Sequence, residues 1–117
     1  MKIHHLHRFD VGFRKAVQIQ ETLRDKLVLH SRGLPRRPAI IAGADISYGK
    51  GSDVFFAAVV LLSYPSLDVI EEIFAAERSS FPYVPGLLSF REGPPLLKAF
   101  ARLHRAPDLV IFDGQGI

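Results

Sequence analysis

The chain of 117 residues contains no cysteine, which excludes a disulfide framework and thiolate chemistry. It also lacks low-complexity segments, internal repeats and any apolar run near the ~20 residues that a membrane-spanning helix needs. The first residues, MKIHH, contain no apolar core of a signal peptide. These absences predict a cytoplasmic protein without a membrane partner.

The composition is that of a folded globular domain, with 48% hydrophobic residues. A chain of this length buries roughly two-thirds of the surface that its unfolded form exposes. The formal net charge of +3 weakly favours a polyanionic partner. Its basic residues gather around positions 32–37 and 98–105, and a solvated surface is the alternative interpretation of such clusters.

The spacing of apolar residues predicts an α/β domain. Helices are indicated where apolar residues recur every three or four positions, and strands where they alternate or form short runs. Residues 67–78 would suit a helix as well as a strand. The predicted elements are a helix over 11–30, strands over 39–48, 54–63 and 67–78, a helix beginning near Pro94, and a strand over 109–112.

The strand over 54–63 is apolar on both faces. A strand of this kind is typical of the centre of a sheet that is covered on both sides. We therefore expect it to lie centrally in a layered α/β fold, with hairpin-linked strands followed by a helical crossover.

Two aspartates occupy apolar strands. An unpaired carboxylate buried at Asp45 would cost several kcal/mol, so we expect this side chain to be paired, hydrogen-bonded or coordinating. Asp113 ends the last strand, and ligands gather at the carboxyl ends of strands in α/β sheets. If the two strands are parallel neighbours, both aspartates face one point, and Glu92 reaches that point from the helix. Oxygen ligands of this type suit Mg²⁺.

Other interpretations of these residues remain open. Ser89 and Glu92 fit a capping box, in which the glutamate only bonds a backbone N–H. Asp113 before Gly114 is also typical of a plain turn. Tyr83 could simply pack within its loop, or it could insert between stacked bases.

Three segments, in this order, resemble the motifs of the endonuclease V family, which nicks DNA beside deoxyinosine. They are residues 43–48 (GADISY), residues 81–94 (FPYVPGLLSFREGP) and residues 113–117 (DGQGI). Gln115 stands where a common form of the third motif has histidine. The resemblance implies a truncated RNase H-like fold: a mixed sheet of about four strands with flanking helices.

The resemblance also implies a function. Asp45, Glu92 and Asp113 would be catalytic residues that hold Mg²⁺, with Mn²⁺ as a substitute. The reaction would be hydrolysis of the phosphodiester bond on the 3′ side of deoxyinosine during DNA repair. Two alternatives stay open: an inosine-specific ribonuclease, and a non-catalytic nucleic-acid-binding or interaction module on an RNase H-like half-fold.

The resemblance assigns the loop at Tyr83 to substrate binding. Tyr83 would be a wedge at the lesion, on a backbone that Pro82 and Pro85 stiffen. Gly86 and Gly114 would contribute to a pocket for the extruded base, because glycine permits close backbone approach.

The family's sequence continues beyond the third motif. We therefore expect residues 1–117 to be a partial RNase H-like domain whose C-terminal part is missing, including a catalytic lysine and the last metal-site residue. Such a chain is expected to be weak or inactive as an enzyme. An unpaired edge on the strand over 109–112 is expected to favour self-association.

Overall fold

The computed structural model describes residues 1–114 and 116, and it shows two helices and a four-stranded mixed sheet. The types and order of the elements agree with the prediction, and residues 67–78 contain a strand. Gln115 and Ile117 of the third motif lie outside the described residues. The elements are α1 (Phe13–Arg24), β1 (Ile40–Tyr48), β2 (Val54–Ser63), β3 (Val69–Arg78), α2 (Leu88–Ala101) and β4 (Leu109–Phe112).

The sheet has the strand order β3-β2-β1-β4. β2 pairs antiparallel with β1 and β3, and β1 pairs parallel with β4. The predicted central position of β2 is therefore confirmed. The main core forms where α2 covers one face of the sheet, and Val59 and Leu61 of β2 are completely buried there beside Phe100 of α2.

The opposite face of the sheet differs from the prediction. Phe56 of β2 is 55% exposed and Phe74 of β3 is 68% exposed. Successive side chains of a strand point to opposite faces, and α2 covers only one of them. Within the described residues, the expectation that β2 is covered on both faces is wrong.

Helix α1 is shorter than predicted. It ends at Arg24, and Asp25 is its C-cap. The helix buries Ala16 completely, whereas Leu27 and Leu29 are 51% and 74% exposed. The apolar side chains beyond Arg24 are therefore more than half exposed, and a helix is stabilised mainly by the packing of its apolar face. Neither helix of residues 1–114 and 116 has the length and apolar character that crossing a membrane requires.

Helix α2 begins at Leu88, six residues before the predicted start at Pro94. Pro94 and Pro95 lie inside the helix, where each proline removes one backbone hydrogen bond. Leu87 and Phe90 are each only 3% exposed and pack in a second core cluster with Ala16 of α1. This packing stabilises the early turns despite the prolines, and it places Glu92 on a helix.

Candidate functional site

The parallel pairing of β1 with β4 brings two of the predicted site residues together. The parallel register of these strands ends with Ala44 opposite Phe112. Asp45 directly follows Ala44, and Asp113 directly follows Phe112. The strands are thus the parallel neighbours on which the prediction depended, and both aspartates follow the last paired row.

Asp108 secures the opposite end of the same strand pair. Its Oδ2 accepts hydrogen bonds from the backbone N–H of Ala39 (2.8 Å) and of Ile40 (3.0 Å). Its own N–H donates to the carbonyl oxygen of Ile40 (2.9 Å). The sequence reasoning missed Asp108, although an aspartate just before an apolar strand is a familiar source of side-chain-to-backbone bonds. Asp108 therefore sets the register that aligns Asp45 with Asp113.

Glu92 reaches this edge from α2. Burial raises the pKa of its carboxyl, and the negative charge of Asp45 raises it next, with a further contribution from Asp113 against an opposing one from Arg91. Glu92 is therefore close enough to Asp45 and Asp113 for their negative charges to act on its carboxyl. Glu92 and Asp113 also line one cleft of about 390 Å³, together with Gly86 and Gly114.

Asp45 lies in a different environment from the one expected. Its side chain is exposed, and its Oδ1 accepts a hydrogen bond from the backbone N–H of Ile46 (2.8 Å). The expectation that this carboxylate is buried is wrong, whereas the expectation that it is hydrogen-bonded is met by Ile46. Ala44 and Ile46, the residues on either side of Asp45, pack against the main core, so Asp45 itself points to the opposite face of the sheet.

The residues of this site fit a divalent cation by ligand type but not by their arrangement. Carboxylate oxygens in this number and with this total charge are the ligands that Mg²⁺ takes in proteins. Among residues 1–114 and 116, however, no group of three such side chains is arranged to hold a metal ion. The residues fit by ligand type and charge, and their side chains do not form a ready-made coordination sphere.

The capping-box alternative for Glu92 is wrong in this structure. The N-cap of α2 is Leu87, and it makes no side-chain capping bond. Ser89 is already the second residue of the helix. Glu92 is consequently free of the purely local role that the sequence left open.

The loop at Tyr83 is anchored at both ends. Phe81 and Leu87 are 8% and 3% exposed, whereas Tyr83 between them is 61% exposed. Gly86 adopts φ +86°, a conformation that favours glycine. Its carbonyl oxygen accepts a hydrogen bond from Nε2 of Gln20 (2.9 Å), a contact with α1 that the sequence did not indicate. Pro82 and Pro85 are exposed with Tyr83, so the loop presents this segment to solvent.

Two residues of the basic cluster around 98–105 have structural partners. Nζ of Lys98 donates to the carbonyl oxygen of Ala76 (2.8 Å), and Nη1 of Arg102 donates to that of Phe74 (2.9 Å). Both carbonyls belong to β3, an edge strand of the sheet. These cations therefore cover a strand edge, as positively charged side chains commonly do.

Comparisons with known proteins agree with this architecture. A family model described as Endonuclease V matches residues 21–117. Endonuclease V of a Nostoc species is 38% identical over 117 residues, which is 100% of this chain and 52% of that protein. The chain therefore spans about half the length of the curated relatives it matches.

Solved structures give the same result. The crystal structure of endonuclease V from Streptomyces avermitilis superposes with a TM-score of 0.82 at 37% identity, covering 92% of this chain and 47% of that one. Endonuclease V of Ciona intestinalis, in complex with a 24mer DNA containing an inosine followed by a ribo-adenosine, superposes with a TM-score of 0.79 at 26% identity, covering 88% and 46%. The predicted RNase H-like α/β fold is confirmed.

Proposed function

The chain belongs to the endonuclease V family, and on this premise we propose that it forms part of the centre of a metal-dependent endonuclease that acts at deoxyinosine in DNA. The bond hydrolysed is the phosphodiester on the 3′ side of the lesion, and the reaction belongs to DNA repair. The observation that carries the proposal is the alignment of Asp45 and Asp113 one residue beyond the last β1–β4 pair. Glu92 supports it, because it shares a cleft with Asp113.

Asp45, Glu92 and Asp113 would hold the divalent cation, Mg²⁺ or in its place Mn²⁺. Such an ion lowers the pKa of a water molecule and offsets negative charge on a phosphate. This chain would supply oxygen ligands from within β1, from the residue after β4 and from α2. Since Asp108 fixes the strand register, the two aspartates keep a constant separation.

The nucleic acid would be held by the loop around Tyr83. Tyr83 is exposed on a loop whose ends are buried, so its ring is available to enter a base stack and offset part of the unstacking cost. Pro82 and Pro85 restrict the backbone on either side. Gly86 and Gly114 line the cleft that contains Glu92 and Asp113, which supports a base pocket next to the metal ligands.

Two other functions each have one observation in their favour. The Ciona relative was crystallised with an inosine followed by a ribo-adenosine, which keeps inosine-containing RNA as a substrate class. The absence of a ready-made metal cluster in the described residues favours a non-catalytic nucleic-acid-binding module. Calorimetric titration with Mg²⁺ separates the module from the nuclease, because only the nuclease needs metal binding that depends on Asp45 or Asp113.

The lesion specificity is tested with labelled single strands that differ at one position. We expect the chain to bind a strand containing deoxyinosine more tightly than a matched strand containing deoxyguanosine, whose base carries an additional amino group. Equal affinities would overturn the proposed specificity. Asp45→Ala is expected to weaken Mg²⁺ binding while largely preserving binding of the strand, and unchanged Mg²⁺ affinity would remove Asp45 from the metal site.

Cleavage is tested beside a full-length family member. The chain spans about half the length of its relatives, and loss of groups that position metal, water and phosphate commonly costs orders of magnitude in rate. We therefore expect Mg²⁺-dependent nicking by this chain to be far slower than by the full-length enzyme. Equal rates would show that residues 1–117 contain the whole catalytic apparatus.

A further inference from the structure

The side chain of Arg91 lies among three aromatic rings. Its guanidinium carbon is 5.0 Å from the ring centroid of Phe55, 5.2 Å from that of Tyr48 and 5.8 Å from that of Tyr83. All three distances fall within the ~6 Å over which a cation is attracted to an aromatic face. A cation in this position links the sheet, α2 and the loop at Tyr83.

Two of the rings form a fixed base for this contact. Tyr48 and Phe55 are opposite each other in the β1–β2 ladder, and their ring centroids are 4.6 Å apart. Phe55 is completely buried, so the sheet determines where the guanidinium lies. Tyr83 is the third ring, and it belongs to the exposed loop.

Hydrogen bonding does not account for this arrangement. Nε of Arg91 is buried and finds no hydrogen-bond acceptor among the residues that the structure describes. A buried N–H without an acceptor is destabilising. A side chain that served only to pack α2 on the sheet would avoid this loss, whereas an attraction to the Tyr83 ring requires a positive charge at this point.

We propose that Arg91 is a positioning residue that holds the Tyr83 ring at a set place relative to Glu92. Arg91 and Glu92 are consecutive in α2, so a ring held by Arg91 keeps a constant relation to the carboxylate next to it. The functional part of this inference rests on the proposed role of Tyr83 as a wedge. The structural part, a restrained Tyr83 ring, does not depend on that role.

The structural part is tested without nucleic acid. The chain has three tyrosines and no tryptophan, so replacing Tyr48 and Tyr64 by phenylalanine leaves Tyr83 as the sole emitter while keeping a ring at position 48. In this background we expect Arg91→Met to increase the fast local depolarisation of Tyr83 in time-resolved anisotropy. Arg91→Lys keeps the cation and should largely restore the restraint. Anisotropy unchanged by Arg91→Met would overturn the proposal.

Two controls guard against a folding defect. Arg78→Met removes an exposed arginine that pairs with Asp53 (2.9 Å), and it should leave the anisotropy of Tyr83 unchanged. Tyr83→Ala in the otherwise unaltered chain should shift the NMR resonance of the Arg91 Nε–H, since a ring current is removed. An unshifted resonance would overturn the contact even if Arg91→Met failed to fold.

The functional part is tested by a double-mutant cycle on the affinity for a deoxyinosine-containing strand. We expect Arg91→Met and Tyr83→Ala each to weaken binding by roughly three- to tenfold, within the range that cation–π and base-stacking contacts support. The double variant should bind no more weakly than Tyr83→Ala alone, because Arg91 acts through Tyr83. Additive losses would overturn the positioning role. No preference for deoxyinosine in the unaltered chain would overturn the proposed function and leave the anisotropy result to stand by itself.

Discussion

Replacing Asp108 by alanine is expected to loosen the strand pair that carries the candidate metal ligands. One oxygen of Asp108 accepts two backbone hydrogen bonds from the start of β1, at 2.8 and 3.0 Å. These contacts join positions 69 and 68 residues apart in the chain. Asp108→Ala removes both bonds at the point where the parallel β1–β4 register is set.

The size of the effect follows from the two bonds. A typical intramolecular hydrogen bond contributes about 0.5–1.5 kcal/mol net, and bonds to charged groups contribute more. Asp108 is exposed, so we take the lower part of this range and expect a loss of about 1.5 kcal/mol. In a urea titration with a slope of about 1.5 kcal/mol per molar, the midpoint would fall by about 1 M.

Two variants make the test specific. Asp108→Asn keeps a carbonyl oxygen that can accept both bonds, so it should lose less than half as much stability as Asp108→Ala. Asp53→Ala removes an aspartate that accepts two bonds from the exposed side chain of Arg78, at 3.0 and 2.9 Å. Exposed pairs of this kind contribute at most about 1 kcal/mol. The reasoning is refuted if Asn and Ala at position 108 are equally destabilising, or if Asp108→Ala matches Asp53→Ala.

The same variants also test the candidate metal site. If the register aligns Asp45 with Asp113, Asp108→Ala should also weaken Mg²⁺ binding in a calorimetric titration. Asp53→Ala should leave that affinity unchanged. A weakened Mg²⁺ affinity in the Asp53 variant would indicate a general loss of structure instead of a loss of alignment.

Glu71 and β4 give the remaining predictions. Glu71 accepts hydrogen bonds from Nδ1 (2.6 Å) and from the backbone N–H (3.1 Å) of His104, and these bonds, the first above all, lower the pKa of its carboxyl. A lowered pKa stabilises the fold above the unfolded-state value and loses that contribution as the pH falls through the folded-state value. Glu71→Gln should therefore reduce the urea midpoint at neutral pH and have little effect in acid; an equal reduction at both would contradict the assignment. β4 has β1 as its only neighbour in the described sheet, and Ile111 on it is 58% exposed, so we expect the chain to self-associate in light scattering. Ile111→Lys should lower the measured mass, and a strictly monomeric unaltered chain would contradict this expectation.

The sequence by itself determined the family and most of the fold. The bounds of β2 and β4 coincide with the predicted runs at 54–63 and 109–112, because short apolar runs between glycine and proline are a local property of the chain. The three motifs identified the endonuclease V family, which the comparisons confirm. The sequence also predicted that Asp45, inside one apolar strand, and Asp113, at the end of another, face one point if the two strands are parallel neighbours, and these strands do pair in parallel.

Only the tertiary structure decided the partners of these elements. α2 begins before its prolines because Leu87 and Phe90 pack against α1, and α1 stops where such packing ends. The exposure of Asp45 depends on which face of the sheet α2 covers. The contacts of Asp108 with Ala39, of Gln20 with Gly86 and of Arg91 with Tyr48 join residues that are distant in sequence. A local pattern carries no information about such contacts, since they exist only after the chain has closed on itself.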